Sequence, residues 1–258
     1  MSWGLEDKPL PPSSFFKPIQ NIKLTRGLKI CIWGPPESGK TYFCCSCPPP
    51  VYIIDTEFGA AKVAKTHFPD KEIYVYEVKI VDTLDPAKID YEETVKTIAR
   101  ACMALKDVEE GTICIDSVSD VYTWLNAWVE DTASRRTSIG TPLRLEWAKR
   151  NIFYRNLVFR LLCKPVNVVL TAQPQRVYDE HGRETNRWAP RWLQPQPHWA
   201  DIVIRLDKET SSGGVKYMAT IEKCRFMRAF NKRVEDITFQ KLVKVLEAEL
   251  GVEVAGSG

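Results

Sequence analysis

The sequence predicts an α/β fold: a mainly parallel sheet with helices on both faces and an antiparallel hairpin near the C-terminus. Three observations carry this. Short apolar runs alternate with stretches of helical periodicity from residue 28 onward. The first run leads straight into a glycine-rich turn that opens a helix. Late in the chain, DIVIRLDKE and VKYMATIEK are joined through Ser-Ser-Gly-Gly, a hairpin pattern.

Taken in order, LKICIW (28–33) reads as a buried strand, VYIID (51–55) as a second, and EIYVYEV (72–78), with its alternation, as a third. DYEETVKTIARACMAL (90–105) places Val95, Ile98, Ala99, Cys102 and Leu105 at helical spacing. TICID (112–116) is the fourth strand and VSDVYTWLNAWVED (118–131) the next helix. Ser, Arg, Gly and Pro then break the rhythm over 132–142, before a long helix at about 143–163. VNVVLTA (166–172) is the fifth strand, followed by a long polar and aromatic loop over about 174–199. ITFQKLVKVLEAEL (237–250) closes the domain as an amphipathic helix stopped by Gly251. The domain therefore spans 25–251. Residues 1–24, with Pro9, Pro11, Pro12, Pro18 and the Phe15-Phe16 pair, read as an extended arm, and 252–258 as a tail whose AGSG resembles an expression scar.

A chain of 258 residues suffices for one large α/β core. No apolar run approaches the roughly 20 residues of a membrane span, and the acidic, proline-rich start is not a signal peptide. Most of the eight cysteines lie in apolar stretches, and Cys44, Cys45 and Cys47 are too crowded for a standard zinc knuckle. They read as reduced core residues of a cytoplasmic protein, with a metal site the lesser option. Residues 132–198 hold twelve Lys or Arg against four Asp or Glu, a balance of +8, so the rest carries −5 within a net charge of +3. A basic middle on an acidic body suits a polyanion partner; a solvated basic helix is the plainer alternative.

GPPESGKT (34–41) fits GxxxxGK[ST] in the strand-to-helix context that gives the pattern meaning. The loop runs through Gly34, Pro35, Pro36, Glu37, Ser38 and Gly39, and Gly34 and Gly39 let its backbone curl so that the N–H groups of its non-proline residues face phosphate oxygens. Lys40 supplies charge to the β- and γ-phosphates, Thr41 a hydroxyl for Mg²⁺, and Tyr42 flanks the site. The expected ligands are thus ATP and Mg²⁺. Asp116 ends the fourth strand, where it can hold the metal through water. The next residue, Ser117, cannot act as a base. Glu57, two residues beyond Asp55 in VYIIDTEFG, is the candidate to orient water.

IIDTE and ICIDS resemble the RecA-like P-loop ATPases, including archaeal RadA paralogues and phage RecA-like annealing proteins. In those a D-x-E strand carries the catalytic glutamate and the metal aspartate precedes Ser. AAA-type ATPases, with Asp-Glu together, do not match that layout. The resemblance covers roughly residues 26–230. It implies that Gln173, after VVLTA, senses the γ-phosphate. It also implies that Lys223 and Arg225 of EKCRFM, similar to a K-x-R element, act on a neighbouring subunit's nucleotide. Two loops would face DNA: 131–144 with Arg135, Arg136 and Arg144, and 175–199 with Arg176, Arg183, Arg187, Arg191, Tyr178, Trp188, Trp192 and Trp199. Arginines hold phosphates and exposed rings stack unpaired bases, which favours single-stranded DNA; Trp192 and Trp199 equally suit loop anchors. No helix-hairpin-helix module precedes the core, and FFKP only loosely echoes a Phe-x-x-Ala motif. The resemblance thus implies a compact paralogue, annealing factor or mediator, in a ring or short filament, working with recombination or replication proteins. A scaffold switched by ATP and a small-molecule P-loop kinase are the rival readings.

Overall fold

A computed structural model describes residues 27–83, 85, 89–136, 141–211, 214–227 and 230–250. The arm and the tail lie outside them. The central sheet has the order β10-β9-β8-β1-β5-β4-β2-β3. Its heart is β1 (Lys29–Trp33), flanked in parallel by β5 (Asn167–Ala172) and β8 (Ile202–Ser211). Next come β4 (Thr112–Asp116), β2 (Val51–Asp55) and the edge strand β3 (Ile73–Glu77), all parallel. On the other side, β9 (Gly214–Cys224) and β10 (Lys232–Glu235) pair antiparallel.

Strand alternation divides the core into two faces. Ile30 and Ile32 of β1, Ile53 of β2 and Cys114 of β4 meet Phe43, Ala60, Phe239, Leu242 and Leu246. These come from α1 (Lys40–Ser46), α2 (Ala60–His67) and α7 (Phe239–Leu250). Cys31, Trp33, Ile113 and Ile115 point the other way, onto Val95, Ile98, Leu125, Tyr154 and Leu157. Those residues belong to α3 (Tyr91–Ala104), α4 (Val118–Arg136) and α5 (Arg144–Leu162). Because β1, β4 and β5 are buried on both faces, their sequences read as unbroken apolar runs.

The expected mainly parallel sheet, with helices on both faces and a C-terminal antiparallel hairpin, is present, with differences of detail. The first arginines of the expected break, Arg135 and Arg136, extend α4 by another turn. Residues 137–140 fall outside the described set. The stretch expected as one long loop is instead a two-stranded ribbon, β6 (Pro174–Tyr178) and β7 (Glu184–Pro190), followed by α6 (Gln196–Trp199). Polar side chains on both faces of that ribbon erase the apolar signature of a strand. The short elements α2 and β10 also go beyond the sequence reading.

All cysteines are free thiols, and only Cys163 is exposed. Cys44 and Cys47 stand at C-x-x-C spacing, but with Cys45 they are fully buried against the sheet. Among the described residues no group of His, Cys, Asp or Glu is arranged to hold a metal ion by itself.

Candidate active site

The phosphate loop leaves β1 beside β8. A Cβ on Gly34 would lie 2.4 Å from the Leu206 carbonyl oxygen, so only glycine fits there. Gly39 takes φ 96°, the left-handed turn that launches α1. Inside the loop, Lys40 donates to the Gly34 and Pro35 carbonyls, at 2.9 Å each. Burial lowers its pKa, while Glu57 and Asp116 oppose that shift. Ser38 Oγ is buried without a hydrogen-bond partner. An orphaned hydroxyl beside a lysine satisfied only by its own loop suits an incoming anion.

Thr41 Oγ1 donates to Asp116 Oδ2 at 2.6 Å, and Thr171 donates to the other oxygen of the same carboxylate. Burial pushes the Asp116 pKa up to about 6, against the pull of those two bonds. A hydroxyl and a carboxylate at contact distance next to the phosphate loop are a donor set suited to Mg²⁺.

The β2–β4 register puts Asp55 beside Asp116. Asp55 is buried and accepts the N–H groups of Glu57 (3.0 Å) and Ala60 (2.8 Å). Its carboxylate therefore braces the turn that holds Phe58 at φ 57°, a conformation uncommon for non-glycine residues. Glu57 emerges from this turn, exposed, and accepts a 2.8 Å hydrogen bond from Gln173 Nε2. Two residues marked separately in the sequence thus meet at the carboxyl ends of the sheet, where open α/β sheets bind ligands.

Sequence reasoning missed the groups that support them. Gln173 N–H donates to Ser119 Oγ at 2.8 Å, and that hydroxyl donates to the Arg191 carbonyl, also at 2.8 Å. Arg191 N–H returns to the Gln173 carbonyl at 2.8 Å. The two ends of the β6–β7 ribbon are thereby closed and pinned to α4.

The remaining predicted residues fall into distinct settings. Lys223 Nζ donates to the carbonyls of Pro197 (2.6 Å) and Ala200 (2.7 Å), and burial lowers its pKa. Arg225 contacts the His198 carbonyl (2.7 Å) and Asp201 (3.1 Å). Both cations thus hold the α6 segment of their own chain. Arg135 pairs with Asp131, Arg136 with Glu146, and Arg144 opens α5. On the ribbon, Arg176 lies 4.0 Å from the centroid of the exposed Trp188 ring and 2.8 Å from Glu184. Arg183 pairs with Asp179, and Arg187 is exposed. Trp192 is buried in the core and Trp199 packs edge-on against Phe159, which settles both as anchors of the segment. Glu37 is held by Lys208 of β8 at 2.6 Å, and Tyr42 leans on His67 and Phe68.

Residues 26–232 match the family model described as an AAA domain. No curated protein matches the chain. Similar solved structures include a KaiC-like protein from the hyperthermophilic archaeon Pyrococcus horikoshii OT3, at 16% identity over 81% of this chain and 85% of that one, with TM-score 0.44. Another is the RadB recombinase, at 18% identity over 81% and 86%, with TM-score 0.47. The matched family carries the AAA name although Ser117, not a glutamate, follows Asp116. With a glycine-rich loop after β1, Asp116 at the end of β4 and Glu57 just past β2 in an α/β fold, the chain belongs to the AAA domain family.

Proposed function

We propose that the chain hydrolyses ATP with Mg²⁺, using Glu57 to orient the attacking water, and acts with single-stranded DNA in recombination, repair or strand annealing. The observation that carries this reading is the Gln173–Glu57 hydrogen bond, at 2.8 Å. It joins an amide and a carboxylate across the sheet end that also bears Thr41 and Asp116. Held by those two residues, Mg²⁺ would neutralise charge on the phosphate oxygens. Lys40 would exchange its loop carbonyls for phosphate. Glu57, held out by the braced turn, would accept the proton of water. Gln173, at the root of the ribbon, would link occupancy of the site to the grip of Arg176, Arg187 and Trp188 on DNA.

The oligomer, a ring or short filament, belongs to the same proposal. Arg225 is the better candidate for action in trans, because Lys223 is the more buried of the pair.

Glu57→Gln is expected to keep ATP binding and to lose at least about a hundredfold in turnover; retained turnover would remove the assigned base. In the wild type, single-stranded DNA should stimulate hydrolysis, and rising salt should weaken the effect. ATP binding with no turnover, with or without DNA, would favour a scaffold, and phosphate transfer to a metabolite would favour a kinase.

A further inference from the structure

Thr56, between Asp55 and Glu57, is buried and bonded on three sides. Its N–H donates to the Asp116 carbonyl at 2.7 Å. Its hydroxyl accepts the Ser117 N–H at 2.7 Å and lies 2.7 Å from Asp120 Oδ2, to which it donates. The Ser117 hydroxyl reaches the same carboxylate oxygen at 3.3 Å. Ser117 and Asp120 stand at the spacing of a helix capping box, in which an acidic residue reaches back to the cap's own N–H. Here that N–H goes to Thr56 instead, and Asp120 continues to the Thr56 hydroxyl. A threonine from the turn just after β2 is thus inserted into the start of α4.

A hydroxyl has one proton to donate. Asp120, which only accepts when ionised, draws that proton and leaves a lone pair facing Ser117 N–H. Without it, the Thr56 hydroxyl could turn to the Ser117 carbonyl, 3.3 Å away. We propose that Asp120 is a positioning residue for hydrolysis: through the Thr56 hydroxyl it locks the strand end bearing Glu57 against the strand end bearing Asp116, fixing the spacing between the water-orienting and metal-holding carboxylates. The proposal rests on Glu57 being the group that orients water. A simple helix cap would contribute to stability alone. A lock between strand ends is felt in turnover, because misplacement by about 1 Å can cost a hundredfold.

The test is steady-state ATP hydrolysis by the full chain, with nucleotide affinity and thermal midpoint measured on the same samples. Asp120→Ala and Thr56→Val should each lower kcat at least tenfold with nucleotide Kd within threefold of wild type. Asp120→Asn keeps an acceptor and Thr56→Ser keeps the hydroxyl, so both should recover to within threefold. The Thr56→Val, Asp120→Ala double variant should lose no more than either single one. Wild-type kcat in folded Asp120→Ala, or a loss confined to the thermal midpoint, overturns the proposal. Should Asp120→Ala fail to fold, equal kcat in Thr56→Val and Thr56→Ser overturns it as well. Wild type active with Glu57→Gln inactive secures the reading beneath it. An inactive wild type, or an active Glu57→Gln, overturns that reading and the proposal together.

Discussion

At Asp116, burial and charge oppose each other. With its pKa raised to about 6, the folded, metal-free protein holds this proton where the unfolded chain, near 3.8, has already released it. The stability this provides is complete below the unfolded value and is lost as pH climbs through 6, by about 3 kcal/mol in all. Asp116→Asn should therefore raise the melting temperature of metal-free protein at pH 7.5, with the gain shrinking toward pH 4, and should abolish Mg²⁺-dependent nucleotide binding. Melting curves in chelator across that range check the sign; a gain that grows in acid would contradict it. Lys40, Thr41, Asp116 and Glu57 were legible in the sequence because each sits at a fixed offset from a strand or turn that the pattern reveals. Asp55, Thr56, Ser119 and Asp120 were not. Their roles arise from the β2–β4 register and the start of α4, which bring distant residues into contact.

The β6–β7 ribbon separates two tryptophans that look equivalent in sequence. Trp188 is half exposed beside Arg176, whereas Trp192 lies in the core. Trp188→Ala should weaken single-stranded DNA binding by about 1–3 kcal/mol, the worth of one stacked base, without changing ATP affinity; anisotropy with a labelled oligonucleotide reads both the loss and its salt dependence. Trp192→Ala should instead destabilise the fold by about 3–5 kcal/mol, measured by denaturant unfolding. Seven strands and the long helices were readable because apolar side chains pack on one or both of their faces. The ribbon was not, since solvent surrounds it and no alternation is imposed on its sequence. The four residues of β10, KRVE, carry three charges at a sheet edge, a composition that guards edges and hides strands.

Across the whole molecule, the glycine-rich loop, Asp116 and Glu57 sit at the ends of the parallel half of the sheet, and Lys223 and Arg225 lie on or just past β9 in the antiparallel half. If Arg225 acts on a neighbour's nucleotide, Arg225→Ala and Glu57→Gln subunits, each inactive alone, should regain part of the activity when mixed, because some interfaces then pair an intact base with an intact arginine; a mixture as inactive as its components would confine Arg225 to its bond with Asp201. The alternation of strands and helices announced this architecture, but the strand order and the ties between its halves depended on long-range pairing. One such tie joins α7 to α1, the last and first helices among the described residues. Phe239 N–H meets Ser46 Oγ at 2.9 Å, and Phe239, Leu242 and Leu246 share the core with Phe43. A fragment trimmed to the recognisable motifs, ending at residue 235, would keep every residue assigned to chemistry yet lose the floor beneath the phosphate loop, and nucleotide should slip from it.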